Sequence, residues 1–133
     1  MADLDPRLAA DTEAIAQWPL SRVLLMKDAA YPWLILVPDR PNLVELFDLE
    51  PTDRARLTEE IARAAQTLKR LTGADKINVG ALGNVVAQLH IHVVARFRGD
   101  PAWPGPVWGK APPVAYPPEV LAKRLAQWRE ALA

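Results

Sequence analysis

Apolar residues recur along this chain at two spacings, and the change from one to the other divides it into helices and strands. Over residues 51–71, Leu57, Ile61, Ala64, Leu68 and Leu71 fall at intervals of four, three, four and three, which places them on one face of an α-helix. Arg54, Glu59, Arg63 and Arg70 turn mostly outward, and Thr72-Gly73 closes the segment. Residues 118–132 repeat the pattern, with Leu121, Leu125, Trp128 and Leu132 at intervals of four, three and four. Residues 1–17 carry Asp5-Pro6, an N-cap followed by proline at the first helical position, and Leu8, Thr12 and Ile15 then mark a buried helical stripe.

Residues 18–28 and 33–37 read as strands, the second held between Pro32 and Pro38, and the link at 29–32 is short enough for a hairpin. Asp39-Arg40-Pro41-Asn42 makes a turn, after which residues 43–47 are expected as a short helical turn packed under the sheet. Two more strands follow at 76–82 and 85–97. The proline- and tryptophan-rich segment 101–118 has no regular structure to offer.

The strand at 85–97 carries the chemistry. Its stretch Val86-Ala87-Gln88-Leu89-His90-Ile91-His92-Val93-Val94 holds the chain's two histidines. Alternation along a strand sends Gln88, His90 and His92 to one face and Leu89, Ile91 and Val93 to the other. An imidazole titrates near pH 6.5, so such a face can supply a neutral nucleophile, an acid or a base. A solvated sheet face and a metal site are the other readings of the spacing. The metal reading lacks a cysteine, a third histidine and a neighbouring carboxylate.

Composition narrows the setting. A chain of 133 residues, 50% of them hydrophobic, suits a single domain (1–133) with a real core. Sixteen basic and sixteen acidic residues cancel, so no global field favours nucleic acid or an anionic membrane, and phosphate binding must be local. No cysteine, no amino-terminal apolar run and no long hydrophobic segment point to a cytoplasmic protein, with no cofactor or metal expected.

The stretch from Asn78 through Gly80, Gly83 and Asn84 to His90-Ile91-His92-Val93-Val94 resembles the signature of the histidine triad (HIT) superfamily. That signature is a polar residue, a glycine-containing turn and a strand alternating histidine with apolar residues. Val23-Leu24-Leu25-Met26-Lys27-Asp28 and Tyr31-Pro32-Trp33-Leu34-Ile35-Leu36-Val37-Pro38 are similar to the family's paired strands around the nucleoside. The resemblance runs over a core at 21–109 and leaves 110–133 as a carboxy-terminal extension with a helix. Pattern and resemblance together predict an α+β, HIT-like domain with a mainly antiparallel sheet. The long helix would cross one face, helices would flank it at both ends, and the histidine strand would be central.

The resemblance also implies a reaction. Neutral His90 would attack the α-phosphorus of a nucleotide and expel the group beyond it, leaving a nucleotidyl-histidine for water or another acceptor to resolve. His92 would donate to phosphate or fix geometry, and backbone amides of Gly83, Asn84 and Val85 would approach the phosphate. Asn78 would contact phosphate or His90, and Asp28 the ribose. Leu24, Met26, Leu34 and Leu36 include the candidates for an apolar base slot.

Three departures stand out. Gln88 occupies the first triad position, Val85 stands where the family often has serine or threonine, and Trp33 stands where some branches have another histidine. Gln88 cannot titrate, which implies slow turnover favouring leaving groups that depart without protonation. The resemblance further implies a homodimer, with Trp103 and Trp108 either reaching a partner protomer or capping their own core. The substrate would be a nucleoside phosphoramidate or polyphosphate. A HIT-fold binding or interaction module with weakened catalysis is the alternative, and a metal-binding sheet protein a third.

Overall fold

The computed structural model describes residues 2–133. In chain order the elements are α1 (Pro6–Asp11), β1 (Thr12–Gln17), β2 (Ser21–Met26), β3 (Trp33–Pro38), α2 (Pro51–Thr72), β4 (Lys76–Gly80), β5 (Ile91–Arg96) and α3 (Pro118–Ala131). The strands form one antiparallel sheet in the order β1-β2-β3-β5-β4. The histidine strand is therefore interior, but β3 and not β5 is central.

The two faces of the sheet have different fillings. On one, Val23, Leu25, Leu34, Leu36, Ile91, Val93 and Ala95 pack with Leu57, Ala64 and Leu68 of α2 and with Trp128 and Leu132 at the chain end. Proline opens α2 at a position whose N–H needs no partner, and Gly73, at φ 69°, ends it in the left-handed conformation that favours glycine. Glu60, on the buried side of α2, accepts from the amides of Leu20 and Ser21 and so ties the β1–β2 turn to the helix. On the opposite face Leu24, Trp33, Ile35, Val37 and Val94 meet Leu8 of α1 and Ala102 and Val107 of the irregular segment. The histidines open onto this second face.

Four local expectations are corrected. The amino-terminal helix is only six residues, capped by the Asp5 carboxylate on the amide of Arg7, and the chain then turns into β1. Leu8, Thr12 and Ile15 are all buried nonetheless. The reason is an irregularity in the β1–β2 register between Ala14 and Ala16, which gives β1 a burial period of three in place of two. The strand expected over 18–28 is confined to Ser21–Met26, because Trp18 to Leu20 make the turn.

The segment after Asn42 is a 3-10 turn, Leu46–Asp48, with Leu43 buried but Val44, Leu46 and Phe47 exposed, so it does not pack under the sheet. The last expected strand is shortened at its start. Its pairing begins at Ile91 opposite Leu36 on one side, although β3 itself continues to Pro38, and at His92 opposite Gly80, the last residue of β4, on the other. No helix among the described residues is long and apolar enough to cross a membrane.

Candidate active site

His92 lies inside β5, flanked by Ile35 and Gly80 on the neighbouring strands, and His90 sits just before the strand begins. The two rings remain side by side, their centroids 4.9 Å apart at an interplanar angle of 70°. They share a cleft of about 350 Å³ with Arg7, Leu8, Asp11, Met26, Ile35, the turn at 82–86 and Trp108. Leu89, Ile91 and Val93 point away into the main core, as the alternation requires.

Hydrogen bonds fix the proton on each ring. Nδ1 of His90 lies 2.7 Å from the carbonyl oxygen of Gln88. A carbonyl only accepts, so Nδ1 carries the proton, and in the neutral ring Nε2 keeps its lone pair. Nδ1 of His92 lies 3.0 Å from Nε1 of Trp33. An indole nitrogen only donates, so here Nδ1 holds the lone pair and Nε2 carries the proton. Among the described residues neither Nε2 has a hydrogen-bond partner, and neither is sealed from solvent. The site thus presents one imidazole lone pair beside one imidazole N–H.

The tautomer of His92 is also its charge state. Burial, and secondarily the neighbouring His90, lower its pKa to about 4. Protonation would set two N–H groups against each other at Trp33. Trp33 and Trp108 enclose the ring edge-on, with centroids 5.6 and 5.4 Å from it. Trp108 gains this position because Gly80 has no side chain: a Cβ there would lie 2.9 Å from the Trp108 ring.

The turn before the histidines is open to a ligand. Gly83 takes φ 75°, and no hydrogen bond within the described residues occupies the amides of Gly83, Asn84 or Val85. Val85 is 75% exposed, and its carbonyl accepts from Nη1 of Arg7.

Other expected site residues are placed elsewhere. The Gln88 side chain does not join the histidine face: Oε1 accepts from the amide of Asp5, Nε2 donates to the carbonyl of Asp3, and only the Gln88 backbone serves His90. Gln88 lies three residues before the first residue of β5, outside the ladder, and the amino-terminal segment offers its side chain both a donor and an acceptor. Among the described residues Asn78 hydrogen-bonds to neither His90 nor the turn, and its Oδ1 accepts from Nη1 of buried Arg96. Asp28 is buried, with Oδ1 accepting from the amides of Ala30 and Val114, so it pins the irregular segment. Leu34 and Leu36 belong to the main core, whereas Met26 does line the cleft.

Both tryptophans of the irregular segment pack within their own chain. Trp108 lies against Trp33 and His92, and Trp103 against the Arg96 guanidinium at 5.8 Å. Sequence reasoning missed Arg7, Asp11 and Ile35 as cleft residues. It noted Trp33 but not its bond to His92. The even spacing of Trp33 and Ile35, which puts both on one strand face, was the available signal for Ile35. Nothing local announces that α1 folds over the site.

Two imidazoles with fixed tautomers, one inside an interior strand and one just before it, stand beside an open glycine turn and make a histidine-centred cleft on an α+β scaffold. The HIT domain family profile matches residues 7–99, and the chain belongs to that family, whose members are generally nucleotide-binding hydrolases or transferases. It is similar over nearly its whole length to solved histidine triad proteins. One from Bradyrhizobium japonicum is 46% identical, with 98% of each chain covered and a TM-score of 0.94. One from Sinorhizobium meliloti is 49% identical, with 97% of this chain and 96% of the other covered and a TM-score of 0.93. One from Marinobacter aquaeolei is 46% identical, with 98% and 95% covered and a TM-score of 0.95. No curated protein matches the chain.

Proposed function

We propose that the protein is a nucleotide hydrolase or nucleotidyl transferase that acts at an α-phosphate through a nucleotidyl-histidine on His90. The observation that carries this reading is the bond between Nδ1 of His90 and the Gln88 carbonyl, which leaves the Nε2 lone pair facing the cleft. In the first step that lone pair forms a bond to the α-phosphorus, and the bond from phosphorus to the leaving group breaks with its electron pair going to the leaving atom. The ring becomes cationic while Nδ1–H stays on the Gln88 carbonyl. In the second step water attacks phosphorus, the P–N pair returns to Nε2, and the water proton passes to solvent.

His92 offers Nε2–H to a nonbridging oxygen, and the unoccupied amides of Gly83, Asn84 and Val85 offer more. In this reading Gln88 acts through its backbone, and Asn78 and Asp28 support the walls of the site. A homodimer fits the apolar surface beside edge strand β4, where Val79, Leu82, Val44, Leu46 and Phe47 are exposed. Sedimentation at micromolar concentration would give a mass near twice 14.7 kDa, and a monomer would remove that part of the proposal.

The test of the reaction is a brief incubation with adenosine 5′-(4-nitrophenyl phosphate) labelled at phosphorus, followed by acid-free quenching and peptide mapping. Label on His90, lost in His90→Ala, is the expected result. Turnover without label on His90, or label on another residue, would overturn it. Tight nucleotide binding with neither label nor turnover would favour the binding module.

A further inference from the structure

We infer that Arg7 forms a subsite for an anionic leaving group, so that the cleft selects nucleotides whose α-phosphate is bonded to a further phosphate over those bonded to an amine. The inference rests on the proposed reaction at His90 and names the side of the cleft to which the departing group goes.

Charge decides it. Arg7 is the single Lys or Arg among the residues lining the cleft of the two histidines, and Asp11, one turn later on α1, is the single carboxylate there. Among the described residues no carboxylate lies within 4 Å of the Arg7 guanidinium, whose recorded contact is Nη1 to the Val85 carbonyl at 3.0 Å. The remaining guanidinium N–H groups stay free on the glycine turn, with a positive charge that nothing in direct contact neutralises. A guanidinium fork matches phosphate oxygens in shape as well as charge.

The proton inventory points the same way. When the bond to the leaving group breaks, its electron pair stays on the departing atom. A phosphate oxygen can keep that pair as an anion, whereas an amide-like nitrogen must take a proton as it leaves. No group on the histidine face supplies one. Gln88 is turned to the amino-terminal segment, His90 has given its lone pair to phosphorus, and His92 is a neutral donor locked by Trp33. The cation at the cleft rim stabilises the charge that no acid removes.

The test compares two leaving groups in wild type, Arg7→Ala and Arg7→Lys. Arg7 is exposed, so the substitutions leave the core intact. With a dinucleoside polyphosphate, Arg7→Ala should lose about tenfold to a hundredfold in kcat/KM, the usual worth of a charge-assisted contact. Arg7→Lys should recover part of that loss. With adenosine 5′-(4-nitrophenyl phosphate), whose leaving group carries no phosphate, the loss should stay within about threefold.

Equal losses on both substrates, or none on either, would overturn the subsite, as would a selective loss with amine leaving groups in Asp11→Asn. Binding keeps the inference open to test without turnover. Adenosine diphosphate should bind Arg7→Ala about tenfold more weakly than wild type and adenosine equally well, and an unchanged diphosphate affinity would sink the idea. Failure of the His90 label from the nitrophenyl ester would count against the reaction itself, whatever Arg7 does.

Discussion

Two polar clusters lie on the same sheet face, and they end their hydrogen bonding in opposite ways. Around Arg96, which is 1% exposed, Nε and Nη2 donate to the Asp100 carboxylate and Nη1 donates to Asn78. Asp100 also accepts from the amides of Phe97, Ala102 and Trp103, and the Arg96 bond holds its carboxyl well below the usual range. Each guanidinium nitrogen and both carboxylate oxygens of that pair are used. At the histidines, each ring spends one nitrogen on the protein and leaves the other to the cleft. Saturation marks the cluster that fastens the start of the irregular segment to β5. The deliberately unfinished pair marks the place where a ligand completes the bonding.

The comparison predicts that the two clusters fail in different currencies. His90→Ala should lower turnover of a nucleotide ester by about a thousandfold or more, with nucleotide binding within about tenfold and the unfolding midpoint hardly moved. Residual turnover equal to wild type would show that the open lone pair is idle. Asp100→Ala should do the reverse, costing about 3 to 5 kcal/mol in denaturant unfolding because it strands the buried Arg96 charge. An unaltered midpoint there would erase the distinction between the clusters.

Acid should separate them further. His92 titrates near 4 when folded and near 6.5 when unfolded, so the unfolded chain takes up its proton first. The stability tied to its neutral form is therefore complete above pH 6.5 and is lost as pH falls from there towards 4, by about 1 to 3 kcal/mol. Unfolding curves across that window should slope more steeply for wild type than for His92→Asn. Equal slopes would mean that the buried ring exchanges its proton as freely as an exposed one.

Gln88→His replaces a side chain that ties down the amino-terminal segment through two hydrogen bonds. The expected result is a loss of about 1 to 2 kcal/mol of stability, with good and poor leaving groups affected alike. Selective acceleration of poor leaving groups would return Gln88 to the histidine face. Trp33→Phe should leave the fold in place but release the proton of His92. Nitrogen NMR of the imidazole would then show a mixture of tautomers in place of the Nε2–H form. A single unchanged tautomer would show that something other than Trp33 holds it.

Much of the architecture was legible because regular periodicity survives wherever an element is long and evenly paired. The spacing of Leu57, Ala64 and Leu68 found α2, and the alternation of Leu89, Ile91 and Val93 found the buried side of the histidine segment. Leu8, Thr12 and Ile15 show how a correct burial pattern can be assigned to the wrong element. A helical turn followed by a strand with an irregular register imitates one continuous helix.

The sequence by itself set His90 and His92 two residues apart behind a glycine turn, the spacing that puts two side chains on one face where strand alternation holds. Tertiary structure decided which atoms those histidines expose. That depended on where the pairing of β5 with its neighbours begins, which leaves Gln88 outside the ladder, and on Trp33, whose donor reaches His92 across 59 positions of chain. It also depended on α1 folding over the site to bring Arg7 to Val85. Hydrogen bonds between residues far apart in sequence carry no periodic signal, because their partners are chosen by packing and not by spacing.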